Sequence, residues 1–167
     1  MVNDRYRIVP KTVHVRIIDR GETHVIRIFA AYRAAIIGNF AEHSVDSGLG
    51  MEYFCIDAGW HDELEWWSAI GEWKVSKTRF PEGLGKTIDY VKSKGMKVGL
   101  WLEIECVGRK SGAVEYLKDC FFTRNGKPVM VNDRYFLDFT KEKTRKYADE
   151  VVDRIVSYGA DYIKTDY

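Results

Sequence analysis

Acidic residues close three short apolar runs in this sequence. Asp57 follows Tyr53-Phe54-Cys55-Ile56, Glu103 follows Met96-Lys97-Val98-Gly99-Leu100-Trp101-Leu102, and Asp166 follows Tyr162-Ile163-Lys164-Thr165. Carboxylates can serve as nucleophiles, general acids or bases, or metal ligands. Asp166 stands out because Lys164 lies two residues before it, and side chains two apart on a strand point to the same face. An ammonium at that range favours the ionised carboxylate and suits a nucleophile. The same spacing also describes an ion pair at a solvated strand end, which contributes little. Asp57, followed by Ala58-Gly59-Trp60, could grip hydroxyls while the indole covers a sugar face; equally, it is a turn aspartate.

Trp60, Trp66, Trp67 and Trp73 fall in one segment that reads as a long βα loop. Indoles gather in a loop either as a carbohydrate-facing platform or as a small core beneath it. Glu103 and Glu105 alternate onto one face, but His14, His24, His43 and His61 all lie upstream, so a His/Glu metal set is not expected. Arg134 opens a short extra strand in Asp133-Arg134-Tyr135-Phe136-Leu137-Asp138 and is read as pairing with Asp138. Cys55 reads as core. With Cys106 and Cys120 it makes an odd, scattered set unsuited to a disulfide framework, so a reduced, cytoplasmic setting is expected.

The elements that would position these residues repeat a pattern of helix, glycine, strand and acid. A helix opens at Pro81-Glu82, carries Leu84, Ile88 and Val91 on one stripe, and stops at Gly95 before the strand that ends in Glu103. From Lys141, the stripe Tyr147, Val151, Ile155 and Tyr158 stops at Gly159 and leads into the strand that ends in Asp166. A less regular copy, with a helix over about residues 32–45 and glycines at 48 and 50, leads to Asp57. Such alternation implies parallel strands, with ligands at their carboxyl ends. The stretch Gly108-Arg109-Lys110-Ser111-Gly112 lacks the glycine spacing of a phosphate loop. Residues 1–30 read instead as a β-hairpin, Val13, Val15 and Ile17 turning near Gly21 to return through Val25–Ile28. The expected organisation is therefore a hairpin-like segment, 1–30, and a β/α unit, 31–167. The pentapeptide Val-Asn-Asp-Arg-Tyr occurs at 2–6 and 131–135, too short for a structural repeat.

Composition narrows the classes. The 167 residues carry 26 Lys+Arg against 25 Asp+Glu, a net charge of +1, which argues against nucleic acid as a partner. No apolar run approaches the ~20 residues of a membrane span, so no membrane role is expected. A complete eight-stranded β/α barrel takes about 250 residues. If the pattern belongs to a barrel, this chain holds part of one.

The ordered segments Phe54-Cys55-Ile56-Asp57-Ala58-Gly59-Trp60, Gly71-Glu72-Trp73, Arg79-Phe80-Pro81-Glu82-Gly83-Leu84, Lys94–Glu103, Tyr135–Phe139 and Tyr162–Tyr167 together resemble family 36 of the glycoside hydrolases, the α-galactosidases of the melibiase type. The resemblance implies a retaining α-galactosidase on a TIM (β/α)8 barrel, of which this chain covers about strands two to four with their helices. It implies no cofactor and no metal, and a terminal α-galactoside of the raffinose type as substrate. It makes Asp166 the nucleophile and Asp57, Trp73, Arg134 and Lys164 the substrate-binding residues. Ala58 stands where many members have a second acid, and Glu72 where they have Asp. The family's acid/base lies on a later strand, so the expectation is a truncated chain, inactive alone. It would then be completed by a second chain or a homo-oligomer, or serve as a catalytically inactive sugar-binding fragment.

Overall fold

A computed structural model describes residues 16–20, 23–28, 34–46, 48, 50–61 and 66–166. Five strands form one sheet in the order β1 (Arg16–Arg20), β2 (Thr23–Ile28), β3 (Tyr53–Ile56), β4 (Lys97–Leu102) and β10 (Tyr162–Thr165). β1 and β2 are antiparallel, whereas β2–β3, β3–β4 and β4–β10 are all parallel. Helices α1 (Ala34–Asp46), α3 (Leu84–Ser93) and α5 (Glu142–Ser157) supply the crossovers. The alternation expected from the sequence is therefore present as an α/β arrangement. The sheet is open: among the described residues it has edges at β1 and β10 and does not close into a barrel.

The hairpin expected within residues 1–30 is formed by β1 and β2, although Val13 and Val15 lie outside the described residues, as does the first copy of the repeated pentapeptide. β2 then pairs with β3, Val25 facing Tyr53, so the parallel sheet begins before residue 31.

One face of the sheet makes the main core. Phe54 and Ile56 of β3 and Val98, Leu100 and Leu102 of β4 are buried with Ile37 and Ala41 of α1, Leu84, Ile88 and Val91 of α3, and Val151 and Ile155 of α5. Apart from Ala41, each of these side chains contributes about 1.5–3 kcal/mol on burial. The helical stripes fall where the spacing put them. The start of α3 does not: Gly83 has φ +90°, outside the right-handed helical region, and its N–H donates to the Phe80 carbonyl. Pro81 and Glu82 therefore form a turn, and the helix begins at Leu84. Its end is as expected, with Gly95 at φ +86°.

The opposite face carries Tyr53, Cys55 and Asp57 of the β3 row, Gly99 and Trp101 of β4, and Tyr162, Lys164 and Asp166 of the β10 row. Gly99 faces Tyr162 across the ladder, and a Cβ there would lie 2.2 Å from the phenol ring, so only glycine lets this ring lie across the strand. Tyr53 meets the same ring edge-on at 5.6 Å.

Between β4 and α5 the chain makes a smaller unit. β5 (Cys106–Gly108), β9 (Arg134–Phe136) and β8 (Met130–Val131) form an antiparallel sheet, beside a hairpin of β6 (Thr123–Arg124) and β7 (Lys127–Pro128) and the short helix α4 (Ala113–Leu117). Asn125 and Gly126 turn one hairpin, and Asn132 and Asp133 the other, all at positive φ. β5 abuts α2 (Trp66–Ala69), with the Gly108 N–H donating to the Ile70 carbonyl. No described helix is long and apolar enough to cross a membrane.

Candidate active site

The three acids that end strands stand on one rim. Lys164 pairs with Trp101 and Thr165 with Leu102, so Asp166 and Glu103 are the next step along their strands; Ile56 pairs with Leu100, which sets Asp57 level with Trp101. Lys164 joins two of the acids. Its Nζ lies 2.8 Å from Asp166 Oδ2 and 3.3 Å from Asp57 Oδ2. The lysine and Asp57 are largely enclosed, whereas the Asp166 side chain keeps 46% of its surface open. The Trp101 indole Nε1–H also donates to Asp166 Oδ2, at 2.9 Å. Two donors on one oxygen fix the tilt of an accessible carboxylate. A strand-end surface pair would have neither the second acid nor the indole. Asp57 fills its turn role too, with the Ala58 N–H donating to Oδ1 at 2.8 Å.

Arg134 is paired with Glu103, and not with Asp138 as its position in the sequence suggested. β9 lies antiparallel to β5, Arg134 opposite Gly108, and the guanidinium reaches back to the end of β4. Asp138 instead accepts from the backbone N–H and hydroxyl of Thr140. Arg134 and Glu103 are both buried. Burial pushes the Glu103 carboxyl above its ordinary range, and Arg134 opposes that rise without cancelling it. β4 ends at Leu102, so the strand alternation does not carry on to Glu105. Glu105 is half-buried and also raised, first by burial and then by the charges of Glu103 and Asp166. Both causes act on Cys106, whose thiol is pushed up to about 12.

The tryptophans divide. Trp60 and Trp73 are fully buried and Trp67 is exposed, while nothing is described of the Trp66 side chain. Trp60, His61, Trp73 and Trp101 pack ring against ring, the His61 ring stacked on Trp101 at 5.8 Å. The Trp73 indole donates to the Tyr147 hydroxyl at 3.0 Å. Of the residues singled out from the sequence, Asp57, Lys164 and Asp166 are thus brought into direct contact. Arg134 stands beside them through Glu103, and Trp73 sits behind the site with no ring face open to solvent.

Two contributors were not singled out for these roles. Trp101 donates to the carboxylate of Asp166, and Glu103 holds Arg134. The alternation Gly99, Trp101, Glu103 toward one face was available in the sequence, but it becomes informative only once β10 is placed beside β4.

The family model described as Melibiase matches residues 24–167. The chain is 37% identical over 123 residues to the α-galactosidase Mel36A of Lactobacillus acidophilus, and 32% identical over 123 residues to α-galactosidase 1 of Pediococcus pentosaceus. Each match covers 71% of this chain but 16% of the relative, so the chain spans about a sixth of their length. The galactosidase domain of the α-galactosidase–sucrose kinase AgaSK superimposes with a TM-score of 0.72 at 27% identity, over 81% of this chain and 19% of that one. The α-galactosidase AgaA of Geobacillus stearothermophilus, solved with raffinose, does so with a TM-score of 0.73 at 27% identity, again over 81% and 19%.

Proposed function

Because the chain belongs to the melibiase family, we propose that its strand-end acids form the nucleophile side of a retaining α-galactosidase site, on a segment of a (β/α)8 barrel. In this reading Asp166 attacks the anomeric carbon of a terminal α-galactoside from the face opposite the leaving oxygen, giving a galactosyl ester that water then hydrolyses with net retention. The geometry that supports it is one ammonium shared by Asp166 and Asp57. Lys164 steadies the attacking carboxylate through its hydrogen bond and offers its remaining N–H donor to a sugar hydroxyl, while Asp57 accepts from another. Arg134, oriented by Glu103, is the second cationic donor near the sugar, and Trp73 supports the wall from behind. Retention also needs a second carboxyl about 5–5.5 Å from the first to protonate the leaving oxygen. No described residue is assigned that role.

The solved relatives bound to galactosides, such as AgaA with raffinose, favour the same substrate class. The test is an activated galactosyl fluoride, whose leaving group needs no proton from the protein. Mass spectrometry of the treated chain is expected to find the sugar esterified to Asp166, and Asp166→Asn to remove it. Calorimetry with galactose is expected to show binding that Lys164→Ala abolishes. A label on another residue, or one that persists in Asp166→Asn, overturns the assignment. Galactose binding without any ester favours a sugar-binding module on the same residues.

A further inference from the structure

Behind Asp166 lies a set of groups that the proposed reaction does not use. α5 leads directly into β10, and from its first half Tyr147 sends its hydroxyl to the segment 71–73. That hydroxyl accepts from Trp73 Nε1 at 3.0 Å and donates to the Gly71 carbonyl at 2.8 Å. Trp73 sits at φ +53°, a left-handed conformation that a bulky side chain adopts only where its surroundings hold it. The buried Tyr147 bridge is such a restraint. Trp73 in turn packs 5.8 Å from the Trp101 ring and 4.7 Å from His61, which is itself stacked on Trp101. Trp60 fastens the Trp101 backbone, its indole donating to the Trp101 carbonyl at 2.9 Å. The far edge of Trp101 carries the N–H that meets Asp166.

We infer that Tyr147 is a positioning residue for Asp166, acting through Trp73 and Trp101. The tyrosine hydroxyl keeps Trp73 in its strained conformation. The close-packed indoles leave Trp101 no room to tilt, and its N–H therefore sets the angle of the carboxylate. The consequence for reaction rate rests on Asp166 being the nucleophile; the mechanical coupling does not.

The experiment reads the coupling directly. In a nitrogen-15 correlation spectrum of the full 167-residue chain, the indole N–H resonance of Trp101 is identified by its disappearance in Trp101→Phe, and its unbonded position by Asp166→Ala, which removes the acceptor. Tyr147→Phe keeps the ring and deletes the bridge, and is expected to move the resonance toward the Asp166→Ala position. Ile155→Val thins the buried stripe of the same helix while leaving every hydrogen bond of the bridge in place, and is expected to leave the resonance where it is. With the activated galactosyl fluoride, Tyr147→Phe is expected to slow ester formation about tenfold or more while galactose affinity stays within a factor of about two. If Tyr147→Phe does not fold, Trp73→Phe removes the donor of the same bond, and for that variant the Trp101 resonance alone is read. An unmoved Trp101 resonance, or an equal movement in Ile155→Val, overturns the inference. A moved resonance in a chain that forms no ester overturns the nucleophile assignment and leaves the strut standing.

Discussion

Glu103 shows how two opposed effects combine on one side chain. Burial disfavours its charge and the Arg134 guanidinium favours it, and the first prevails, leaving its affinity for a proton raised. A carboxyl whose folded pKa lies above its unfolded one binds more protons in the folded state across that interval, so its contribution is complete below about pH 4.5 and is lost as pH rises through the raised value. Each unit of separation is worth about 1.4 kcal/mol. Urea titrations of the parent and Glu103→Gln across pH 4–8 are expected to diverge upward from about pH 4.5, the parent losing stability with pH relative to the variant; parallel curves would contradict this. The residue scale is also where the sequence was read best and worst. Lys164 beside Asp166 followed from strand alternation alone. Arg134 was paired with Asp138, four residues along the same segment, because nothing in a one-dimensional pattern says that a strand will fold back across the end of β4.

At the scale of elements, glycines tie spacing to geometry for two different reasons. Gly95 stops α3 at φ +86° with nothing within 4 Å of a Cβ placed there, so Gly95→Ala pays only for its backbone and is expected to cost roughly 1–2 kcal/mol. Gly108 is not at positive φ, but a Cβ there would lie 2.3 Å from the Ser68 backbone, where β5 crosses α2. Gly108→Ala is expected to cost about 3 kcal/mol or more, and urea midpoints of the two variants rank them. The stop at Gly95 was legible because a helix that ends before a strand wants a left-handed residue. The packing role of Gly108 was not, since it depends on an element about forty residues away in the chain. The Asn125-Gly126 hairpin carried a strong local signal in its own dipeptide. The start of α3 was misplaced because Pro81 and Glu82 suit a first helical turn equally well as the turn that Gly83 forces.

For the whole molecule, the question is whether the parallel sheet and the smaller antiparallel unit open together. Cys55 lies in β3, Cys106 in β5 and Cys120 beyond α4, and all three are buried. Cys106 is held as a thiol by burial and by two neighbouring glutamates. The Glu103–Arg134 pair and the Gly108–Ile70 hydrogen bond stitch the two units, so the three thiols are expected to be silent toward Ellman's reagent in the folded chain and to react with one common rate as urea is raised. Earlier reaction of Cys106 and Cys120 would show that the smaller unit opens first. The parallel arrangement was legible from three repeats of helix, glycine, strand and acid. The membership of β2 in the same sheet was not, because the turn signal near Gly21 made residues 1–30 look self-contained. The phenol of Tyr162, laid over Gly99 with the Tyr53 ring at its edge, gives this sheet a floor at the end away from the acids. All three acids lie past the carboxyl ends of β3, β4 and β10, so the direction in which these strands run also fixes the rim at which a guest meets them.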